Sequence, residues 1–465
     1  MIRLIRGEIT ARSFVLVGFE TALLVGAVLV AAYIRLGDAA LDVLLTDNGF
    51  PKTLLVAAVC QTCLYYADLY NLRTLSDRRD LFTRLMQSLA AASFILAALY
   101  FWFPSLIIGR GVFLIASAFV VAVVIGWRIV FEVYTRHVGA RERLLLVGTS
   151  DAAVSLAREL FERRRELGVE IVGFVDPDPT RLGSPVINPG VIGTIEDIPS
   201  ITRSRGVDRV VVSLADARGQ LPMDKLLEMK LDGVTFDHLA SVYEDYTGKI
   251  AVENLRPSWL IFSDGFQKSR VLSASKRVID VVCAVVGLIV LAPVMLLVAC
   301  AVKLTSHGPS LYHQNRVGQH GRIFTVHKFR SMRVDAEAET GPVWAAKHGD
   351  PRVTPIGHLL RRARLDELPQ LWNVLQGDMS FVGPRPERPE FVEELTHQIP
   401  FYRQRHIVRP GLTGWAQIRY TYGASREDAL QKLQYDLFYI KNLSISLDLF
   451  IILSTIKTVV LRKGA

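Results

Sequence analysis

The final part of the chain sets carboxylates beside arginines at short spacing. Arg361, Arg362 and Arg364 run into Asp366–Glu367–Leu368–Pro369–Gln370. Gly377–Asp378–Met379–Ser380 and Gly383–Pro384–Arg385–Pro386–Glu387–Arg388–Pro389 follow, and upstream Lys328–Phe329–Arg330–Ser331–Met332 places two cations near a hydroxyl. This set suits phosphoryl chemistry. One carboxylate can attack phosphorus, a second can hold Mg²⁺, and guanidinium groups can neutralise phosphate oxygens in bidentate fashion. Adjacent Asp366 and Glu367 would repel each other without cations, which are plentiful here. Spacing alone fits a solvated, charge-paired helix end equally well.

Such residues need a scaffold, and composition says what kind. Of 465 residues, 50% are hydrophobic and 21% charged, where a soluble domain carries about 25% charged residues. That excludes a disordered or fibrous chain and points to a membrane protein with sizeable soluble parts. The net charge of +9 suits anionic partners such as lipid head groups, phosphorylated lipids and nucleotides. No zinc-finger or RNA-recognition motif is present, so nucleic acid is not expected as a partner. Cys60 and Cys63 have CxxC spacing, but they lie in an apolar segment without a second ligand pair. They read as small hydrophobes, and no disulfide framework is implied.

Four apolar segments, roughly Phe14–Ile34, Thr53–Tyr70, Leu85–Phe103 and Val112–Tyr134, are each near the ~20 residues that cross a bilayer. Asp68, Arg128 and Glu132 lie near the ends of the second and fourth. Glu20 lies inside the first; an intramembrane carboxylate suggests function, while a place near the interface or facing other helices is the plainer reading. Arg3, Arg6 and Arg12 precede the first span, and Arg73, Arg78, Arg79 and Arg84 separate the second from the third. Arg136, Arg141 and Arg143 follow the fourth. The other two loops hold few cations, Arg35 and Lys52 in one and Arg110 in the other. The positive-inside rule therefore puts both ends of this bundle in the cytoplasm. Next, Arg143–Val147 reads as a strand ending at Gly148, Asp151–Leu167 as a helix, and Val169–Val175 and Val210–Leu214 as further strands. That is a βαβ pattern, but Gly148–Thr149–Ser150–Asp151–Ala152–Ala153 is not GxGxxG, so a structural or regulatory role is expected over nucleotide binding.

From Val281 to Val302, 22 residues carry no charge, long enough to span. Pro293 sits midway, and both flanks are basic: Lys268, Arg270, Lys276 and Arg277 before, Lys303, Arg316, Arg322, Lys328 and Arg330 after. A simple crossing would put one basic flank outside; a bent helix that enters and leaves one leaflet keeps both inside. Leu449–Leu461 is also mostly apolar, either a surface-lying or a core helix.

From about Ser275 onward the chain resembles the bacterial polyprenyl-phosphate phosphoglycosyl transferases of the monotopic superfamily. The stretches that carry the resemblance are Ser306–His307–Gly308–Pro309, Lys328–Phe329–Arg330–Ser331–Met332, Leu365–Asp366–Glu367–Leu368–Pro369–Gln370–Leu371–Trp372–Asn373–Val374, Gly377–Asp378–Met379–Ser380, Val382–Gly383–Pro384–Arg385–Pro386 and Arg409–Pro410–Gly411–Leu412–Thr413–Gly414–Trp415. The whole chain resembles the large form of that family. The resemblance implies an α/β membrane protein with four transmembrane helices (1–138), a Rossmann-like α/β domain (139–240) and a linker (241–272). A mainly α catalytic domain (273–465) follows, with a re-entrant helix at about 277–304.

The resemblance also implies roles. Asp366 matches a nucleophile that forms an aspartyl glycosyl-phosphate with loss of UMP, and Glu367 the Mg²⁺ ligand. Arg361 and Arg385, with Pro384, match the phosphate-binding stretch. Lys276 and Arg277 match the cationic entry to the re-entrant helix, and Pro293 its break. Lys328, Arg330, Asp378 and Gln417 are further substrate-binding candidates that could instead hold the fold. The implied partners are a UDP-sugar (UDP-glucose first), undecaprenyl phosphate, membrane lipids and a second copy of the chain. The implied setting is the bacterial inner membrane, with both soluble domains facing the cytoplasm. Two other classes fit the sequence less well. A membrane-anchored NAD-dependent nucleotide-sugar dehydratase would need a second Gly-rich fingerprint and a YxxxK pair in the C-terminal half, and neither is there. A non-enzymatic scaffold would not need the Asp366–Glu367 pair.

Overall fold

The computed structural model describes residues 11–46, 48–67, 69–70, 78–108, 111–137, 142–162, 164–213, 223–252, 265–266, 269–336, 350–420, 423 and 425–460. Asp68, Leu214, Lys268 and several loop charges used above for orientation (Arg3, Arg6, Arg73, Arg110 and Arg141) lie outside the described residues. The chain forms two compact units, Met1–Thr247 and Gly248–Ala465.

The first unit opens with α1 (Ala11–Leu36), α2 (Ala39–Thr46), α3 (Gly49–Tyr66), α4 (Arg78–Trp102) and α5 (Val112–His137). Val17–Leu36, Phe82–Trp102 and Val112–Val130 are long and apolar enough to cross a membrane, and the bent pair α2–α3 makes a fourth candidate. One stripe of each helix faces inward at helical spacing: Leu24, Val28 and Ala31; Val56, Cys60 and Leu64; Leu85, Leu89 and Ala92; Ala116, Val120 and Val124. The outward residues are apolar too, including Phe19, Phe94 and Leu114, as lipid contact requires.

Inside this bundle Glu20 is bound on both oxygens. Arg128 Nε donates to Oε1 at 3.0 Å and its second terminal nitrogen to Oε2 at 3.1 Å. The remaining Arg128 nitrogen donates to the Leu69 carbonyl. Glu20 is 0% and Arg128 3% exposed. A charge removed from water in an apolar bundle needs such a partner, so the plainer reading of Glu20 holds: it faces another helix.

The rest of the first unit is a parallel sheet with helical crossovers. It comprises β1 (Glu142–Val147), α6 (Asp151–Glu162), α7 (Arg164–Leu167), β2 (Val169–Asp176), β3 (Val191–Thr194), α8 (Ile198–Arg205), β4 (Arg209–Val212), α9 (Met223–Leu231), β5 (Thr235–His238) and α10 (Leu239–Thr247). The strand order is β3-β2-β1-β4-β5, all pairs parallel. β1 reads as a continuous apolar run because both faces are covered. α6 buries Ala153, Leu156, Ala157 and Leu160, the i, i+3, i+4, i+7 stripe. The stretch expected to be linker, 241–272, is only partly so. Its start completes α10, which buries Val242, Tyr243, Glu244 and Thr247.

The second unit begins at Gly248, and Ile250 and Val252 are buried. It continues through α11 (Arg270–Thr305), the hairpin β6 (Leu311–Val317) and β7 (Ile323–Phe329), α12 (Pro355–Arg362), α13 (Gln370–Gln376), β8 (Ser380–Val382), α14 (Pro389–Gln398), β9 (Gly411–Thr413), α15 (Trp415–Arg419), α16 (Arg426–Lys441) and α17 (Ile445–Val460). The break expected at Pro293 is absent as a helix end: α11 runs on through it. A proline removes one backbone bond and displaces one carbonyl, which can bend a helix without ending it. β8 and β9 pair in parallel. A Cβ on Gly383 would lie 2.4 Å from the Arg409 carbonyl, and one on Gly411 2.1 Å from Gly383 N. The glycines of these two stretches are therefore required by close backbone approach.

Candidate active site

Asp366 and Glu367 share one 3₁₀ turn, Leu365–Glu367, between α12 and α13. Thr354 caps α12, its hydroxyl accepting from Gly357 N at 3.0 Å, with Pro355 in the first turn. Past the end of α12, Arg364 adopts φ 56°. A left-handed backbone at a non-glycine residue costs on the order of 1 kcal/mol, and here it turns the chain so that both carboxylates face inward. Asp366 is 7% and Glu367 9% exposed.

The two carboxylates are treated differently. Glu367 Oε1 accepts from Arg385 at 2.5 Å and from Lys328 at 3.3 Å, and Oε2 lies 3.9 Å from Arg364. Burial opposes ionisation of Glu367, but the charges of Arg385, Lys328 and Arg364 outweigh it and hold its pKa well below the carboxylate range. Asp366 Oδ1 is buried and, among the described residues, has no hydrogen-bond partner. Burial and the neighbouring Glu367 charge push the Asp366 pKa up, against the pull of Lys328, Arg361 and Arg364. A buried carboxylate oxygen without a donor is costly unless a ligand completes it.

Backbone supports set the cations in place. Lys328 stands on β7, which Asn373 grips from α13: its Nδ2 donates to the Thr325 carbonyl at 2.7 Å and its Oδ1 accepts from His327 N at 3.1 Å. Burial lowers the Lys328 pKa, while Glu367 favours its charged form. The Arg385 carbonyl accepts from Arg405 at 3.0 Å. Arg405 is itself buried against Asp436 at 2.8 Å and the Tyr402 hydroxyl at 2.7 Å. Arg361 Nε donates to Ser331 Oγ at 3.0 Å.

The structure thus brings together Asp366, Glu367, Lys328 and Arg385, with Arg361 in electrostatic reach of Asp366. Arg330 is elsewhere occupied. Its terminal nitrogens donate to the His307 carbonyl at 2.7 Å and the Ser306 carbonyl at 2.9 Å, and a Cβ on Gly308 would lie 2.1 Å from it, which accounts for the Ser306–Gly308 stretch. Lys276 donates to the Val382 carbonyl at 3.0 Å, Tyr439 at 3.1 Å and Asp448 at 2.6 Å. Arg277 donates to the Val374 and Leu375 carbonyls at 2.6 and 2.7 Å, capping the C-terminus of α13. Pro384 is buried, and its carbonyl accepts from Gly411 N. Gln417 Nε2 reaches the Leu412 carbonyl at 3.4 Å, and Asp378 is exposed after α13. Arg364, which stood out by its spacing to the carboxylate pair, lies within ion-pair reach of Glu367. Asn373, Arg405 and Asp436 are marked by no spacing, and Asn373 stands only inside a matching stretch.

Strand order reverses at the carboxyl ends of β1 and β4, the place where open parallel sheets take ligands. Ser150 Oγ and Ser213 Oγ close to 2.5 Å. Asp151 occupies the first turn of α6. Asp176, at the end of β2, accepts from Thr149 Oγ1 at 2.5 Å and lies 3.6 Å from Arg181.

Comparison with known proteins gives two family matches: "Bacterial sugar transferase" over residues 271–462 and "CoA-binding domain" over residues 66–226. The chain is similar to the UDP-N-acetylgalactosamine-undecaprenyl-phosphate N-acetylgalactosaminephosphotransferase of Aeromonas hydrophila, 42% identical over 49% of this chain and 53% of that protein. It is also similar to the undecaprenyl-phosphate glucose phosphotransferase of Komagataeibacter xylinus, 40% identical over 59% of this chain and 52% of the relative. A third relative is the UDP-glucose:undecaprenyl-phosphate glucose-1-phosphate transferase of Escherichia coli (strain K12), 33% identical over 71% of both chains. The chain thus spans about half the length of the first two relatives, 53% and 52%, and more of the third.

Proposed function

The chain belongs to the bacterial sugar transferase family, and on that premise we propose that it moves a sugar 1-phosphate from a UDP-sugar to undecaprenyl phosphate, releasing UMP. The observation that carries this reading is the divided carboxylate pair: Glu367 held ionised by cations, Asp366 left with a buried, unpartnered oxygen. Asp366 Oδ1 donates a lone pair to the phosphorus that bears the sugar. The bond from that phosphorus to the UMP oxygen breaks, and its electrons leave with UMP. An oxygen of undecaprenyl phosphate then attacks the same phosphorus and returns the Asp366 carboxylate. Arg385, Lys328, Arg361 and Arg364 are suited to neutralise the diphosphate oxygens as charge shifts.

Among the described residues no group of three or more His, Cys, Asp or Glu side chains is arranged to hold a metal. Mg²⁺ needs fewer, since it commonly takes one or two carboxylates and completes its shell with substrate phosphates and water. Glu367, ionised and beside the open Asp366 oxygen, fits that demand. Bound there, Mg²⁺ would screen the diphosphate charge. The point where the parallel sheet reverses its strand order does not fit the pyrophosphate of a coenzyme A. Ser150 is bonded across it, Asp151 adds negative charge at the start of α6, and Asp176 is engaged by Thr149. That domain has no part in the proposed chemistry.

The donor sugar is proposed as glucose, the sugar in the names of two relatives cited above, with N-acetylgalactosamine the alternative from the other. The proposed setting is the bacterial inner membrane with the site on the cytoplasmic side. The positive-inside pattern supports this. A re-entrant α11 is supported by its packing. Its early residue Ala284 joins a cluster with Val326, while Val298 and Val302 join one with Phe329. Val326 and Phe329 are ~10 Å apart along a strand; Ala284 and Val302 would be ~27 Å apart on a straight helix.

The test uses purified full chain in nanodiscs with Mg²⁺, undecaprenyl phosphate and a panel of UDP-sugars, reading the nucleotide released. UMP from one sugar, absent with Asp366→Asn, supports the reading. UDP release, or none from any sugar, overturns it.

A further inference from the structure

The start of α11 grips both arms of the active site. Arg277 caps the C-terminus of α13, the helix that follows Asp366–Glu367. One turn on, Asp280 Oδ1 accepts from Ser380 Oγ and from Phe381 N, both at 3.0 Å. Lys276 donates to the carbonyl of Val382, as does the Tyr439 hydroxyl at 3.2 Å. Every residue of β8 is therefore held from outside its own sheet, and β8 leads through Gly383 and Pro384 to Arg385. Asp280 is 2% exposed, and among the described residues its Oδ2 has no hydrogen-bond partner. A buried carboxylate with an orphan oxygen is a poor device for stability, since an apolar residue would avoid that cost. Its bonds are instead directional, and they fix the strand just before the arginine that contacts Glu367.

We propose that Asp280 is a positioning residue: by pinning Ser380 and Phe381 of β8 to α11, it sets the Arg385 guanidinium against Glu367. Lys276 and Arg277 hold the neighbouring contacts in the same way. The claim rests on the transferase reading and adds a residue that touches neither substrate nor the reacting atoms.

A double-mutant cycle for UMP release tests it, with full chain in nanodiscs. Asp280→Ala is expected to lower kcat at least 30-fold in the natural background, and at most threefold in Arg385→Lys, where the group it positions is already misplaced. Asp280→Asn keeps the oxygen that accepts both bonds and is expected to rescue kcat to within fivefold. Ser380→Ala removes one bond from the other side, so it covers the case in which Asp280→Ala fails to fold. Its loss of three- to tenfold should also vanish in Arg385→Lys. Equal losses in both backgrounds, or no rescue by Asn, would overturn the proposal. Release of UMP by the natural chain is the separate check on the transferase reading.

Discussion

Glu20 and Asp366 are both carboxylates buried in a chain that is half hydrophobic, and their surroundings are opposite. Glu20 has both oxygens bound by one arginine, whose remaining nitrogen is taken by a carbonyl. Asp366 sits among three cations, Lys328, Arg361 and Arg364, yet among the described residues no donor reaches its Oδ1. The first arrangement is closed and holds helices together. The second is incomplete, and its cations are spread over several elements so that a polyanion can complete it. Burial of charge alone therefore does not mark a site; an unfilled valence set among cations from several elements does.

The largest effect that should separate the two is on turnover. Asp366→Asn is expected to lower UMP release by about 10³-fold or more while leaving the unfolding midpoint unchanged or higher, because the amide removes a poorly solvated charge. A midpoint lower by more than ~4 °C, roughly 1 kcal/mol or more, would show that Asp366 serves the fold.

Next in size, Arg128→Ala should cost about 3–5 kcal/mol of stability by stranding Glu20, with turnover per folded molecule unchanged. The double change Glu20→Leu with Arg128→Leu should recover most of that stability. If the double variant is as unstable as the single one, the closed-pair description is wrong.

Glu367→Gln joins both behaviours. It should lower turnover by about 10²-fold and stability by about 2–4 kcal/mol, since Arg385 and Lys328 lose their shared partner. Thermal unfolding and nucleotide release on one preparation would resolve the two losses.

The smallest effect is in the pH profile. The Asp366 pKa is raised in the folded chain, so its reactive ionised form is lost as pH falls through a pKa above the ordinary carboxylate value. Below that point turnover should drop tenfold per pH unit. Glu367 has the opposite sign. Its pKa is depressed on folding, so its contribution to stability is full above about pH 4.3, its unfolded value, and is lost as pH falls further. Activity should thus fail at a higher pH than stability does. Coincident losses would mean that the two carboxylates titrate as one unit.

Much of this was legible in the residues. Span length and loop charge follow from local hydropathy, and β1 and α6 show in their apolar patterns, because bilayer thickness and helical period act on contiguous residues. The Asp366–Glu367 pair and its arginines stood out because charges that close together demand an explanation. β3 and β5 did not, since their four residues lack the continuous apolar run that marks β4. For Arg330 two roles stayed open, substrate binding or holding the fold, because residue type fits both; its bonds go to the backbone of Ser306 and His307.

The chain by itself determined the classes of element, the basic character and the chemistry that Asp366, Glu367 and Arg385 can perform, because these depend on residue type and near spacing. Tertiary structure decided which charges are spent. Glu20 meets Arg128 from 108 residues away and Lys276 meets Asp448 from 172, while among the described residues Asp366 meets no donor at Oδ1. Whether a buried charge is closed or left open is set by partners brought in from distant segments, and no local pattern records which of them arrive.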